Sequence, residues 1–203
     1  MEKTICIFGD SIVWGACDYE RGGWVSRLRN YVETREEGEV EAYVYNCGIG
    51  GDNSELLLER FNGECVSREP NTIIFAIGIN DSQYINSKDN PRISIENFEK
   101  NLEKLIEKAK KYTNEIIFVG LSSVDDSRTV PVPWETSKNY DMENVTLYNE
   151  KIKEICKKSN LLFVDVLDLI ENAELVDGLH PDSQGHEKIF QRIKNFLLEN
   201  KII

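Results

Sequence analysis

Four side chains in this 203-residue chain have types and positions suited to one kind of chemistry. Ser11 follows the apolar run Thr4-Ile5-Cys6-Ile7-Phe8 and the pair Gly9-Asp10. Asn80 lies in Gly78-Ile79-Asn80-Asp81. Asp177 and His180 share the segment Asp177-Gly178-Leu179-His180-Pro181. A serine hydroxyl is a poor nucleophile until a base takes its proton. His180, one of two histidines, can be that base. Asp177 stands three residues before it, so one turn of backbone can bring the carboxylate to Nδ1. That contact fixes the tautomer that leaves Nε2 facing Ser11. Acyl transfer through such a serine also needs donors for the developing oxyanion. The backbone N–H of Ser11, the backbone N–H of Gly51 and the side-chain amide of Asn80 could supply three.

Each of these residues also has an ordinary reading. Serine is a favoured helix cap, so Ser11 could do no more than begin a helix. The glycines of Asn46-Cys47-Gly48-Ile49-Gly50-Gly51-Asp52 could mark only a sharp bend. Asn80 could tie down its own loop, and Asp-x-x-His is common in exposed turns. Cys17 lies close to Ser11, but no second motif supports it as a nucleophile. His186 falls in the first turn of the last helix and reads as solvated, with no role assigned. The weight lies in the conjunction, since all the polar motifs stand at the ends of strands.

Those strands read directly from the sequence. Thr4 to Phe8, Val40 to Tyr45, Thr72 to Ile77, Glu115 to Leu121 and Leu161 to Val166 are short runs of β-forming apolar residues. Amphipathic helices lie between them. One covers Gly23 to Arg35, and one capped by Asp52, Asn53 or Ser54 runs to Phe61. Ser94 caps a helix with Ile95, Phe98, Leu102, Leu105 and Ile106 on one face. Asp141 opens another, and the last runs from about Ser183 to Glu199. Five strands alternating with helices predict an α/β fold of three α/β/α layers, with a five-stranded parallel sheet. The flavodoxin-like order 2-1-3-4-5 is the commonest for this pattern, with its ligand crevice at the carboxyl ends of the strands. Ser11, Gly51, Asn80 and the Asp177–His180 pair would all face that crevice. The stretch from Ser122 to Tyr140 is too long for a plain connection and is expected to be a lid or specificity loop.

Composition narrows the partners. With 40% hydrophobic and 30% charged residues the chain reads as a soluble globular protein forming a single domain over residues 1–203. A net charge of −12 argues against nucleic acid and anionic membranes, which select basic faces. No apolar run reaches the ~18 residues of a membrane span, so no integral membrane association is expected. The odd set Cys6, Cys17, Cys47, Cys65 and Cys156 contains no CxxC and reads as reduced thiols. With no visible signal peptide, the expected location is cytoplasmic. Neither a metal-ligand cluster nor a cofactor motif is visible, and nothing sets an oligomeric state.

The chain resembles the SGNH hydrolases, also called GDSL-type esterases and lipases. Gly9-Asp10-Ser11-Ile12 matches the first block, with Ile12 for the usual Leu. Gly51 is the second-block glycine, with Gly50 an adjacent alternative. Gly78-Ile79-Asn80-Asp81 matches the third block and Asp177-Gly178-Leu179-His180-Pro181 the fifth. The resemblance implies Ser11 as nucleophile, His180 as base and Asp177 as orienting acid. It implies an oxyanion hole of Ser11, Gly51 and Asn80. The implied reaction is hydrolysis of a small-molecule ester through an acyl-serine, without metal or cofactor. Trp14, Tyr84 and Trp134 are expected at the substrate wall. Lysophospholipase and thioesterase activities are alternatives within the family. Two other classes compete with it. One is a binding module that has lost turnover. The other is a receiver-like domain holding Mg²⁺ with Asp10 and Asp81, although Val164-Asp165-Val166-Leu167 lacks the lysine such a domain needs.

Overall fold

The computed structural model of the chain describes residues 3–34 and 42–203. The expected helix end at Arg35 and strand start at Val40 fall outside them. Five parallel strands form the main sheet: β1 (Lys3–Gly9), β2 (Ala42–Gly48), β3 (Thr72–Ala76), β5 (Glu115–Val119) and β7 (Leu162–Val164). Their spatial order is β2-β1-β3-β5-β7, the expected 2-1-3-4-5 once two short additional strands are numbered. Those are β4 (Tyr84–Ile85) and β6 (Lys138–Asn139), which pair antiparallel outside the sheet. β6 lies in the Ser122–Tyr140 stretch expected to be a lid or specificity loop.

Side-chain alternation builds the layers. Cys6, Phe8, Ile73, Phe75, Ile116 and Phe118 face one side of the sheet, and Ile5, Ile7, Ile74, Ile117 and Val164 face the other. The first face packs on α3 (Ser54–Arg68), α4 (Ile95–Ala109) and α6 (Met142–Ser159). The second packs on α2 (Gly23–Glu33) and α7 (Ser183–Glu199). A ring stack runs through the first layer, with Phe8 4.9 Å from Phe61 and Phe75 5.0 Å from Phe118 between centroids. Each such buried ring is worth about 1.5–3 kcal/mol in transfer energy.

Helix starts follow their capping residues. Ser94 accepts from Asn97 N–H, Asp141 from Asn144 N–H, and Asn53 from both Glu55 and Leu56 N–H. The helix expected to end at Phe61 continues two turns to Arg68, because Cys65 repeats its buried stripe. The connection β1–α2–β2 crosses one face and β2–α3–β3 the other. The winding therefore reverses beside β1, which puts the topological switch point at the carboxyl ends of β1 and β3.

The loop between α1 (Ser11–Trp14) and α2 is pinned from within. Asp18, fully buried, accepts from Gly23 N–H at 2.8 Å and pairs with the Arg27 guanidinium. Arg27 also reaches Glu187 at 2.9 Å and the Ser183 hydroxyl at 2.8 Å, so it ties α2 and the loop to α7. Burial alone would raise the Asp18 carboxyl, yet the bonds from Arg27, Gly23 and Arg21 hold it at about 2. Breaking a buried pair from one side strands a charge. Arg27→Ala should therefore cost about 3–5 kcal/mol of stability in urea unfolding. A loss below 1 kcal/mol would show that water reaches Asp18.

Candidate functional site

Ser11 is the first residue of α1, directly beyond the carboxyl end of β1. It does not cap that helix. Asp10 does, its carboxylate accepting from Ile12 N–H at 2.9 Å. The Ser11 hydroxyl is thus free of the capping role and lies 2.9 Å from His180 Nε2. On the far side of the ring, His180 Nδ1 lies 2.7 Å from Asp177 Oδ2. The other carboxylate oxygen accepts from the backbone N–H of His180 at 2.8 Å and of Leu179 at 3.0 Å. Asp177 therefore orders the turn that carries the histidine as well as its ring. Burial works to raise the Asp177 carboxyl, but the His180 ring and these N–H groups more than offset it and hold it at about 2.

Asn80 sits just beyond β3, buried, with both ends of its amide specified. Its Oδ1 accepts from the Tyr140 hydroxyl at 2.7 Å, and Nδ2 donates to the Asp52 carbonyl at 2.9 Å. An amide Nδ2 carries two hydrogens, so one is left for a further acceptor. The Asp52 carbonyl, which can only accept, settles which end of the amide is nitrogen. Asp52 is itself placed by Arg60 at 2.7 Å, whose guanidinium reaches the carbonyls of Gly9 at 3.2 Å and Cys47 at 2.8 Å. One arginine thus gathers the ends of β1 and β2 and the glycine turn. Gly51 adopts a φ of +81°, a conformation that favours glycine, whereas Gly50 is not among the positive-φ residues. The Gly51 carbonyl accepts from Arg92 at 2.9 Å.

Asp10 and Asp81, the acids of the receiver-like reading, are both occupied by helix starts. Asp81 accepts from the Ser54 N–H with both oxygens at 3.0 Å, bracing the start of α3. Burial pushes Asp10 up to about 7 and Asp81 up to about 6.

The expected substrate wall divides. Trp134 comes to the site, its ring centroid 6.2 Å from that of His180 and 52% exposed. Trp14 lies one turn beyond Ser11 on α1 and is 62% exposed. Tyr84 does not line a surface. It is 4% exposed in β4, with burial and then the Asp141 charge pushing its phenol up. The Ser122–Tyr140 stretch is anchored rather than hinged like a lid. It holds α5 (Asp126–Thr129) and β6. Asp125 N–H donates to Gly178 O at 2.8 Å, and Arg128 donates to the carbonyls of Leu175 at 2.7 Å and Asn172 at 2.6 Å. The stretch is therefore bonded to the very turn that carries Asp177 and His180.

His186 is the clearest departure from expectation. It is 0% exposed, not solvated. Nδ1 accepts from Trp24 N–H at 3.3 Å and Nε2 donates to the Ala16 carbonyl at 3.0 Å. Burial lowers its pKa, consistent with a neutral ring pinning α7 to the chain around α1. Tyr140 and Arg60 went unread in the sequence because neither belongs to a local motif. Cys17, set aside there, lies beside Asp177 and His180, the three ligand atoms within 4.8 Å of one another.

The GDSL-like Lipase/Acylhydrolase family matches residues 7–188. A lipase/acylhydrolase from Enterococcus faecalis is similar in structure, with a TM-score of 0.77 and 23% identity over 96% of this chain and 95% of that one. Axe2, an acetylxylan esterase from Geobacillus stearothermophilus, superposes with a TM-score of 0.74 and 21% identity over 97% and 93%. At these identities the likeness concerns the fold. The uncharacterized lipoprotein YqeF of Bacillus subtilis (strain 168) is 30% identical over 115 residues, 54% of this chain. The match spans 44% of that relative's length.

The Asp177 contacts have a measurable consequence. Its carboxyl is depressed from 3.8 to about 2 in the folded chain. The stabilisation is complete above about pH 4 and is lost as pH falls through 2. Asp177→Asn should flatten this acid limb by about 2 kcal/mol, read from urea unfolding between pH 5 and 2. Parallel wild-type and variant curves would mean the aspartate makes no net contact.

Proposed function

The chain belongs to the GDSL-like lipase/acylhydrolase family, whose chemistry is carboxylic ester hydrolysis, and from that premise we propose a serine esterase acting on a small soluble ester. The observation that carries the reading is the continuous line Ser11 Oγ, His180 Nε2, His180 Nδ1, Asp177 Oδ2, with steps of 2.9 and 2.7 Å between side chains. In this reading His180 takes the Ser11 proton as the hydroxyl attacks the ester carbonyl. Asp177 holds the tautomer and stabilises the imidazolium that forms. The imidazolium then gives the proton to the leaving alcohol. Water repeats the sequence on the acyl-serine and releases the acid. Oxyanion donors are the Ser11 N–H, which lacks an intrahelical partner at a helix start, the Gly51 N–H and the remaining Asn80 amide hydrogen. Tyr140 is a positioning residue that acts through Asn80.

Substrate size is read from less. The acetyl group named for Axe2 supports a short acyl chain. Trp134, exposed beside His180, would cover the alcohol side. No helix among the described residues is long and apolar enough to cross a membrane.

A sulfonyl fluoride should label Ser11 one-to-one. Ser11→Ala should lose both the label and the hydrolysis of p-nitrophenyl acetate at an unchanged melting temperature. An adduct mapped to any other residue would overturn the assignment. Turnover should fall as the p-nitrophenyl ester lengthens from acetate to dodecanoate, and a preference for dodecanoate would favour a lipase instead.

Asn80→Ala should lower kcat by about 10²–10³ with little change in KM, the loss expected for one oxyanion donor. Tyr140→Phe keeps the amide but frees its orientation. It should cost about 5–10-fold in kcat, the equivalent of one hydrogen bond of ~1 kcal/mol. Tyr140→Phe with an unaltered kcat would sever Tyr140 from the site, and an Asn80→Ala enzyme of near wild-type kcat would remove Asn80 itself.

A further inference from the structure

Cys17 has no part in the proposed reaction, yet the fold carries it to the same place. Its Sγ, an Asp177 carboxylate oxygen and a His180 ring nitrogen lie within 4.8 Å of one another, and all three residues are half-buried. The position is imposed by the surroundings. Cys17 holds a φ of +66°, in the left-handed region that a non-glycine residue rarely adopts. The carbonyl just before it, that of Ala16, accepts from buried His186 at 3.0 Å. The residue just after it, Asp18, is locked to Arg27. Two buried groups from opposite ends of the chain thus fix the backbone on either side of the thiol.

We propose that Cys17, Asp177 and His180 form a binding site for a thiophilic divalent cation of the Zn²⁺ type, and that occupancy switches the enzyme off. A thiolate, an imidazole and a carboxylate are the three donor types that zinc takes from proteins. Zinc bonds of ~2.0–2.3 Å place the ligands of a tetrahedral ion roughly 3.3–3.8 Å apart. Side-chain adjustments on the order of 1 Å therefore close the site. Three protein ligands leave the fourth position to water. Mg²⁺ and Ca²⁺ prefer all-oxygen sets, so the thiol selects against them.

The chemistry balances simply. On binding, the Cys17 thiol releases its proton to solvent and the thiolate sulfur bonds the ion. The consequence for catalysis is the same whichever ring nitrogen coordinates. An ion on Nε2 occupies the lone pair that would accept the Ser11 proton. An ion on Nδ1 takes the lone pair exposed when that nitrogen's hydrogen moves to Nε2, so Nε2 becomes a donor and cannot accept the Ser11 proton. Both remove the base while leaving the fold intact. The inhibitory effect rests on the esterase reading; the binding of the ion does not.

The test separates the two. Co²⁺ added to the full chain should produce a sulfur-to-cobalt charge-transfer band in the near ultraviolet, and stoichiometric Zn²⁺ should abolish it by displacement. Cys17→Ser and Cys17→Ala, checked for wild-type melting temperatures, should both lack the band. Wild-type hydrolysis of p-nitrophenyl acetate should be inhibited by Zn²⁺, restored by EDTA and indifferent to Mg²⁺. The Cys17 variants should keep their basal turnover and need at least ~100-fold more Zn²⁺, beyond the ~10–100-fold that loss of an outer-shell partner costs. If the chain hydrolyses no ester, the cobalt band still decides on the site. A wild-type protein without the band, a band that survives loss of Cys17, or equal zinc sensitivity in wild type and variants would each overturn the proposal.

Discussion

β1 hydrogen-bonds along both of its edges, to β2 from Lys3 through Gly9 and to β3 from Ile5 through Gly9, and the geometry of the site descends from that double pairing. The strand is buried on both faces, so a one-residue slip would move Ile5 and Ile7 into the layer around Phe61, and Cys6 and Phe8 into the layer around Trp24, and both layers would have to repack. At its last residue there is room for no side chain. A Cβ on Gly9 would meet the Ala76 carbonyl at 2.2 Å and Val13 at 2.3 Å. The chain can therefore turn tightly against β3 and enter α1 at once, which presents Ser11 above the sheet edge. Asn80 reaches the same edge from β3, the strand hydrogen-bonded to β1, and His180 arrives from beyond β7.

Electrostatics at this edge follow the kind of partner each acid has. The chain carries a net charge of −12, yet its buried carboxyls behave differently from one another. Asp10 and Asp81 are met by backbone N–H groups and a hydroxyl at helix starts, and burial still pushes them up to about 7 and 6. Asp18 is also buried, but the Arg27 guanidinium and two N–H groups hold it at about 2. The hydrogen bonds at Asp18, from a guanidinium and two N–H groups, offset the loss of hydration, where the fewer bonds at Asp10 and Asp81 offset only part of it. Asp177 shows a third arrangement, half-buried and bonded to a ring and two N–H groups, with its carboxyl at about 2. These bonds keep Asp177 ionised beside the imidazole.

The loops above the sheet form one connected body. Arg60 joins Asp52 to the carbonyls of Gly9 and Cys47. Asn80 joins Asp52 to Tyr140, and Tyr140 N–H donates to the Thr129 carbonyl. Arg128 then carries the connection to the turn holding His180. A disturbance in the stretch from Ser122 to Tyr140 therefore reaches both Asn80 and the turn that carries His180, because hydrogen bonds join the stretch directly to each.

Much of this was legible in the residues taken in order. Strand and helix alternation, the caps at Ser94 and Asp141, and the placing of Ser11, Asn80, Asp177 and His180 near strand ends follow from local signals, and the strand order from the commonest topology for that alternation. Hydrophobic periodicity and capping act over a few residues, so they are written where they act. The rest required the folded chain. His186 is buried because its partners, Trp24 N–H and the Ala16 carbonyl, stand 162 and 170 positions away. Tyr84 is enclosed, and Tyr140 oriented onto Asn80 60 residues distant, within a region where β4 and β6 pair between two connections far apart in the chain. Cys17 meets Asp177 and His180 only because α7 pins the chain around α1 from the far end of the sequence. Such contacts depend on which surfaces come together, and that is decided by packing the two layers on the sheet, not by any run of neighbouring residues.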